Sequence, residues 1–332
     1  MTEPLEYRSA NVKPGPPGAM IAYGVITLIL AALSGCITIA SPIGLYAAAQ
    51  QTGSPGVDTV MIGQIIAAMA IYLVAAIVLT AGGIGMVRGQ RWVRPYTLAI
   101  SVPAVGFGLA RVIGVVSTWS IPATASTDVG TNPNTPFSQD QAMMVGMIVG
   151  GVFTLLFGVG LPLMYALYFR RQDVADALER CDPRGYFGAH LPIPALALAV
   201  WLALAALFGL TSIVNPILPA FATYLTGAPA MIGLALGAAL LLLAAWLVWQ
   251  RNFAGWIIAA VVLLLWALSI TVTPLFAEDN MFAALSDQQV QQFGAMLDDF
   301  PSWPIVIGGI VQIGLIIIGL LWARPHVAGP ID

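Results

Sequence analysis

Charge is what this chain has least of. Of 332 residues, 12 are Lys or Arg and 15 are Asp or Glu, 8% of the sequence, against the roughly 25% usual in soluble domains. Such scarcity excludes a soluble globular domain, an intrinsically disordered chain, which needs polarity and charge, and a nucleic-acid binder, which needs a basic face. Histidine and cysteine number two each. His190 and His326 form no HExxH or paired-His spacing. Cys36 and Cys181 are expected on opposite sides of a hydrocarbon core, out of reach of a shared disulfide or metal. The expectation is therefore a non-enzyme with no cofactor and no metal.

What is present is oil-like. Hydrophobic residues make up 59% of the chain and the mean hydropathy is +0.90. A bilayer core about 30 Å thick takes roughly 20 apolar residues as helix, and every backbone group must be paired inside the segment because lipid offers no partner. Eight stretches qualify: Ala19 to Ala40, Val60 to Met86, Tyr96 to Val116, Ala142 to Tyr168, Pro192 to Val214, Ala230 to Trp249, Phe253 to Leu275 and Pro304 to Trp322. The fold class is all-α, a polytopic helical membrane protein. Only Gln250, Arg251 and Asn252 separate the sixth and seventh stretches, which predicts a tight helical hairpin.

Basic residues set the orientation, because cationic loops stay in the cytoplasm. Arg8 and Lys13 precede the first stretch; Arg88, Arg91 and Arg94 follow the second; Arg170, Arg171, Arg180 and Arg184 follow the fourth; Arg251 follows the sixth and Arg324 the eighth. Opposite loops hold Asp58, Asp128, Asp140, Glu278, Asp279, Asp287, Asp298 and Asp299 instead. Both termini are thus expected in the cytoplasm of a multi-pass cytoplasmic-membrane protein. Trp92, Tyr96, Tyr168, Trp249, Trp256 and Trp322 mark the inner boundary, and Trp119 and Trp303 the outer one.

The sequence also repeats itself. Ile26 to Ile43 aligns with Val200 to Ile217 at an offset of 174, with nine of 18 positions identical, including Gly35 with Gly209 and Pro42-Ile43 with Pro216-Ile217. Gln90-Arg91 matches Gln250-Arg251 at an offset of 160. Ser138-Gln139-Asp140-Gln141 and Ser286-Asp287-Gln288-Gln289, offset by 148, both fit the S-x-x-Q box that starts a helix. Four helices per half return the chain to its starting side, so the halves must be parallel tandem repeats rather than inverted ones. The expected organisation is a disordered cytoplasmic tail over 1–18, a first four-helix half over 19–168, a connector over 169–191, a second half over 192–322 and a cytoplasmic tail over 323–332.

Three local features stand apart. Val290, Phe293, Met296 and Leu297 give an amphipathic helix near 287–299, read as a lid on the helix ends rather than a lipid-surface helix, since it lacks Lys and Arg. Between Arg170 and Arg184, Val174, Leu178 and Cys181 share one helical face, which reads as an extension of the fourth helix, with a docking site as the alternative. Leu33-Ser34-Gly35-Cys36 looks like the lipobox of bacterial lipoprotein precursors, but the apolar run continues past Cys36, so a small buried apolar residue is expected there. Gly106, Gly108, Gly158 and Gly160 sit inside apolar helices and complete no nucleotide loop. Like Gly146-xxx-Gly150 and Gly233-xxx-Gly237, they read as helix-packing positions.

Arg111 is the one charge inside a predicted span. Arginine at mid-helix costs about 2.5 to 3.5 kcal/mol on insertion scales and usually faces protein or water. Gln64, Asn215, Gln312, Thr38, Thr211, Ser212, Ser269, Thr271 and Thr273 share the outer halves of their helices. Arg111, Gln64, Asn215 and Gln312 form the candidate site, an outward-opening polar vestibule. Interhelical hydrogen bonding is the competing reading. The leading functional expectation is a non-catalytic accessory, scaffold or assembly subunit; the second is a permease or channel for a small solute such as an anion, with Arg111 as the binding cation. Expected partners are the lipid bilayer and a membrane protein or a second copy of this chain, with no nucleic acid.

Overall fold

The computed structural model describes residues 15–51, 59–118, 148–276 apart from 187, 215 and 222, and 303–327. Helices dominate: α1 (Gly18–Gln51), α2 (Thr59–Val87), α3 (Val93–Thr118), α4 (Ile148–Arg170), α5 (Gln172–Cys181), α6 (Ile193–Thr211), α7 (Gly227–Trp249), α8 (Phe253–Phe276) and α9 (Trp303–Val327). Among the described residues, seven are long and apolar enough to cross a membrane: α1, α2, α4, α6, α7, α8 and α9. The chain is a mostly helical protein of polytopic membrane character. The segment near 287–299, the acidic loop residues, Trp119, Gly146 and the tail residues 1–14 and 328–332 lie outside the described residues, whereas 323–327, expected as tail, continue the α9 helix.

One element departs from the all-α expectation. Between α6 and α7 runs an antiparallel hairpin of β1 (Ile217–Pro219) and β2 (Tyr224–Thr226), with Leu218 opposite Leu225. Two prolines, Pro216 and Pro219, stop helical continuation here, because proline has no N–H for the ladder. Irregular backbone at such depth persists only when its polar groups are paired within the protein. Ser269 on α8 does part of this work: its hydroxyl donates to the Pro219 carbonyl and accepts the Phe221 N–H at 3.3 Å.

Helix packing uses small side chains, as expected where lipid removes the hydrophobic drive between helices. The larger core centres on α6, where Ala195, Ala199, Leu202 and Ala206 meet Ala238, Leu241, Ala244 and Val248 of α7, Ala259 of α8 and Leu320 of α9. Two indoles tie neighbours together: Trp201 donates to the Ala99 carbonyl at 3.2 Å and Trp256 to the Leu320 carbonyl at 2.8 Å. On the other side α1 packs along α2, with a Cβ on Gly24 falling 2.8 Å from Val87 and one on Gly83 falling 2.7 Å from Leu28.

The glycine pairs within apolar helices divide. Gly106 meets Leu315 of α9, and Gly108 lies against the Gly158 backbone of α4, as a packing role requires. Gly150 and Gly237 face open space instead. Cys36 is also exposed on α1 rather than buried, and neither cysteine forms a disulfide among the described residues.

The two turns that join α2 to α3 and α7 to α8 share one hydrogen-bond pattern. Gly89 N–H bonds the Met86 carbonyl (3.1 Å) and Gln90 N–H the Gly85 carbonyl (2.9 Å); Arg251 N–H bonds Val248 (2.9 Å) and Asn252 N–H bonds Leu247 (2.8 Å). Both are Schellman closures around a left-handed residue, Gly89 at φ 66° and Arg251 at φ 57°. The structural offset is 162, two residues away from the match between Gln90-Arg91 and Gln250-Arg251, so Gly89 corresponds to Arg251. At that offset Gly85 and Val93 correspond to Leu247 and Gly255. Both pairs touch, with the glycine on opposite partners.

That contact yields a measurable contrast. A Cβ on Gly255 would sit 2.7 Å from the Leu247 Cβ and 2.7 Å from the Val248 nitrogen. Gly255→Ala should therefore destabilise the protein by about 1–3 kcal/mol through overpacking, whereas Gly237→Ala should be neutral or stabilising because alanine favours helix. Thermal unfolding of both variants in one detergent checks the difference.

Candidate functional site

The sequence places its candidate site on four helices, and the packing pairs them by element. Arg111 lies on α3 and Gln312 on α9, which meet where Gly106 faces Leu315; both candidates lie further toward the non-arginine end than that contact. Gln312 is half-buried. Gln64 lies on α2, where Gly63 meets Val214 at the end of the short 3-10 turn after α6. Asn215 lies outside the described residues, as do the side chains of Arg111 and Gln64.

Most other polar residues of that level spend their hydrogen bonds locally. Thr38 donates to the Ser34 carbonyl at 2.9 Å, Thr211 to Phe208 at 2.8 Å, Ser212 to Phe208 at 3.0 Å and Thr271 to Ala267 at 2.7 Å. Ser269 serves the hairpin. The expected interhelical bonding is thus largely replaced by bonding to the residue's own helix, which hydroxyls on helices commonly do. Thr273 is the exception, fully buried with a hydroxyl that reaches no partner.

A second feature of this region escapes sequence reading. From Thr154 to Gly160, α4 winds as a π-helix before returning to α geometry at Leu161. Wide turns of this kind are rare and often accompany functional sites. Here Gly158 touches Gly108 of α3, one helical turn before Arg111. No signature in the apolar run TLLFGVG announces the change of pitch.

The opposite end is richer in described chemistry. Arg88, Arg91, Arg94, Arg170, Arg171, Arg180, Arg184, Arg251 and Arg324 gather there with Asp173, Asp176, Glu179 and Asp182. The connector does not extend α4 straight: Arg171 is extended (ψ 140°), and α5 folds back. Val174, Leu178 and Cys181 are buried on the face their spacing foretold, Val174 and Leu178 packed with Met20, Met86, Val93, Leu98, Tyr165 and Phe169, and Cys181 beside Gly89. Arg91 pairs with Glu179 at 2.8 Å, and the Arg94 Nε–H donates to the Phe169 carbonyl at 3.0 Å, satisfying one open acceptor at the end of α4.

Two adjoining cavities flank Tyr186. One, about 180 Å³, is lined by Arg91, Arg94, Gln172, Asp176 and Glu179; the other, about 440 Å³, by Gln90, Trp92, Tyr96, Asp182 and Arg184. Their charges are already engaged, Glu179 with Arg91, Asp176 with Gln172 and Asp182 with Arg184. The Arg184 guanidinium, joined by backbone N–H groups of Arg91 and Arg184, holds the Asp182 carboxyl below its ordinary range. Arg171 does the same to Asp173. Deeper in, the Thr27 and Tyr165 hydroxyls lie within bonding reach of each other and of the Tyr23 carbonyl (2.8 and 3.0 Å), fastening α1 to α4 beside the Tyr23 and Tyr168 rings, which meet at a 35° tilt.

Among the described residues no group of three His, Cys, Asp or Glu is placed to hold a metal ion. No protein-family model, curated protein or solved structure matches the chain.

Two measurements follow from this end of the molecule. Tyr165→Phe should cost about 0.5–1.5 kcal/mol, the worth of a typical buried hydrogen bond, read as a lower unfolding temperature. Because the folded-state pKa of Asp182 is depressed, its contribution is complete above the ordinary carboxylate value near 3.9 and is lost as pH falls through the lower folded value. Asp182→Asn should accordingly shrink the drop in unfolding temperature seen on acidifying from about pH 5 to pH 3.

Proposed function

We propose that this chain is a non-catalytic accessory, scaffold or assembly subunit of a membrane complex. The observation that carries the reading is the local satisfaction of polar groups: hydroxyls at the level of the expected vestibule bond to their own helices, so they converge on no ligand position. A subunit of this kind offers its surface instead. The α1–α2 hairpin supplies one, since α1 packs mainly on α2 and carries a long exposed apolar face with Ile29, Leu33, Ile37, Ile39 and Ile43.

The architecture of the proposal is eight spans in two tandem four-helix halves. Helix α3, 26 residues long, is the eighth span, with Arg111 within it. Support for duplication comes from the equivalent turns at Gly89 and Arg251 and from the matching pairs α1 with α2, α6 with α7, α3 with α4 and α8 with α9. The shared glycine supports it less, since Gly35 faces open space and Gly209 lies 3.8 Å from the Ala238 Cβ. With arginines facing the cytosol, both termini are cytoplasmic and the membrane is the cytoplasmic one. The partner is another membrane protein or a second copy of the chain.

A permease or channel for a small solute, such as an anion, is the second reading. The π-helical turn of α4 beside the Arg111 helix favours it, as does the unpartnered Thr273 hydroxyl. Arg111, Gln64, Asn215 and Gln312 would then hold the solute.

Purification in mild detergent followed by mass spectrometry separates the two. A stoichiometric membrane-protein partner that survives Arg111→Ala is the expected result. A co-purifying small solute, lost in Arg111→Ala at unchanged folded yield, would instead establish the permease.

A further inference from the structure

Arg251 is held against two costs. Its backbone is left-handed at φ 57°, a conformation that burdens a residue with a Cβ by about 1–2 kcal/mol, while the corresponding turn solves the same geometry with Gly89. Its Nε–H is buried and bonds to nothing, a second penalty. Strain kept where a glycine would relieve it points to a use for the side chain.

The surroundings indicate that use. Two residues on, Phe253 stacks on Trp256 with ring centroids 5.3 Å apart, and the Arg324 guanidinium lies 5.8 Å over the Trp256 ring. Neither Arg251 nor Arg324 pairs with a carboxylate among the described residues, whereas Arg91, Arg171 and Arg184 do. From the turn, exposed Phe253, Ile257, Val261 and Leu265 run along α8 at four-residue spacing, one continuous apolar row inclined about 26° to the helix axis. Beside Arg324, Leu321 and Trp322 are exposed on α9. The arrangement is that of an amphiphile's complement: guanidinium groups at the level where a helix leaves the hydrocarbon, then an aromatic pair, then an aliphatic stripe long enough for an acyl chain. The whole end supports an anion, carrying nine described arginines against four carboxylates, and basic sites between helix ends are where anionic headgroups settle.

We propose that the α7–α8 turn is an anionic phospholipid site, in which Arg251 and Arg324 bind the headgroup phosphate and the Phe253–Leu265 face of α8 carries an acyl chain. The phosphate supplies the acceptor that Arg251 lacks, once its guanidinium turns outward, and offsets the strain of the turn. Arginine suits this task because its planar fork matches phosphate oxygens. The site is independent of whether the protein serves as a scaffold or as a permease.

Native mass spectrometry of the full chain in mild detergent tests it, with phosphatidylglycerol and phosphatidylcholine as probes. Wild type should retain phosphatidylglycerol in the presence of a tenfold excess of phosphatidylcholine. Arg251→Gly should weaken that retention about fivefold, the worth of one arginine at a charged surface, yet unfold at a higher temperature without lipid, because glycine relieves the turn. Arg324→Gln should weaken it similarly, and Arg171→Gln, which removes an arginine engaged with Asp173, should not. Equal retention of both lipids, or unchanged binding in folded Arg251→Gly, would overturn the proposal. Displacement of the lipid by millimolar inorganic phosphate would overturn it in favour of a soluble-anion site.

Discussion

In hydrocarbon an unpaired N–H or C=O has no water to fall back on, and each costs several kcal/mol. The described part of this protein is organised by that constraint. Its long apolar segments close their hydrogen bonds internally as helices, and each departure from the α ladder has a partner at hand. The hairpin between α6 and α7 pairs across its strands and leans on Ser269. The end of α4 is met by Arg94. Both α2 and α7 finish in Schellman closures that return their last carbonyls to the backbone.

The same constraint explains how the polar side chains behave. A hydroxyl in an apolar bundle gains most from the nearest carbonyl, and on a helix that carbonyl is three or four residues back. Thr38, Thr211, Ser212 and Thr271 follow this rule, which weakens a reading of the outer halves as a ready ligand site. Thr273 breaks it, while Thr154 at the start of the π-helical turn keeps it by donating to the Gly150 carbonyl at 2.8 Å; any transport role would begin at Thr273 and at the widened turn itself. The arginine-bearing end obeys different rules, because water is available to it. There α5 folds back on its buried Val174, Leu178 and Cys181, and ion pairs such as Arg91 with Glu179 align its exposed face.

Much of this was legible in advance. Seven of the eight long apolar runs are helices long and apolar enough to cross a bilayer, which length and composition alone decide, and the three-residue separation before Phe253 predicted the α7–α8 hairpin. The amphipathic face of α5 was readable from its spacing, but the break at Arg171 was not, because nothing in Arg170-Arg171-Gln172 forbids continued helix; packing against Met20 and Phe169 selects the fold-back. The exposure of Cys36 was likewise beyond a sequence in which every face of the helix is apolar and so carries no direction. Of the four site candidates, Gln312 is placed as half-buried on α9. Their grouping by packed helix pairs came from contacts at Gly106, a glycine the sequence marked for packing without naming its partner, and at Gly63, which no motif marks.

The sequence by itself determined that this is a chain for a low-dielectric solvent and which segments are long and apolar enough to span it, because those follow from transfer free energies that are properties of residues. Tertiary structure alone decided which helices touch, where α4 widens to a π-turn, how a β-hairpin is accommodated at Pro216–Thr226, and that Arg251 stands in the left-handed place its counterpart gives to glycine. Those outcomes depend on fit between neighbouring surfaces that are all apolar, and fit is a matter of shape that hydropathy does not encode.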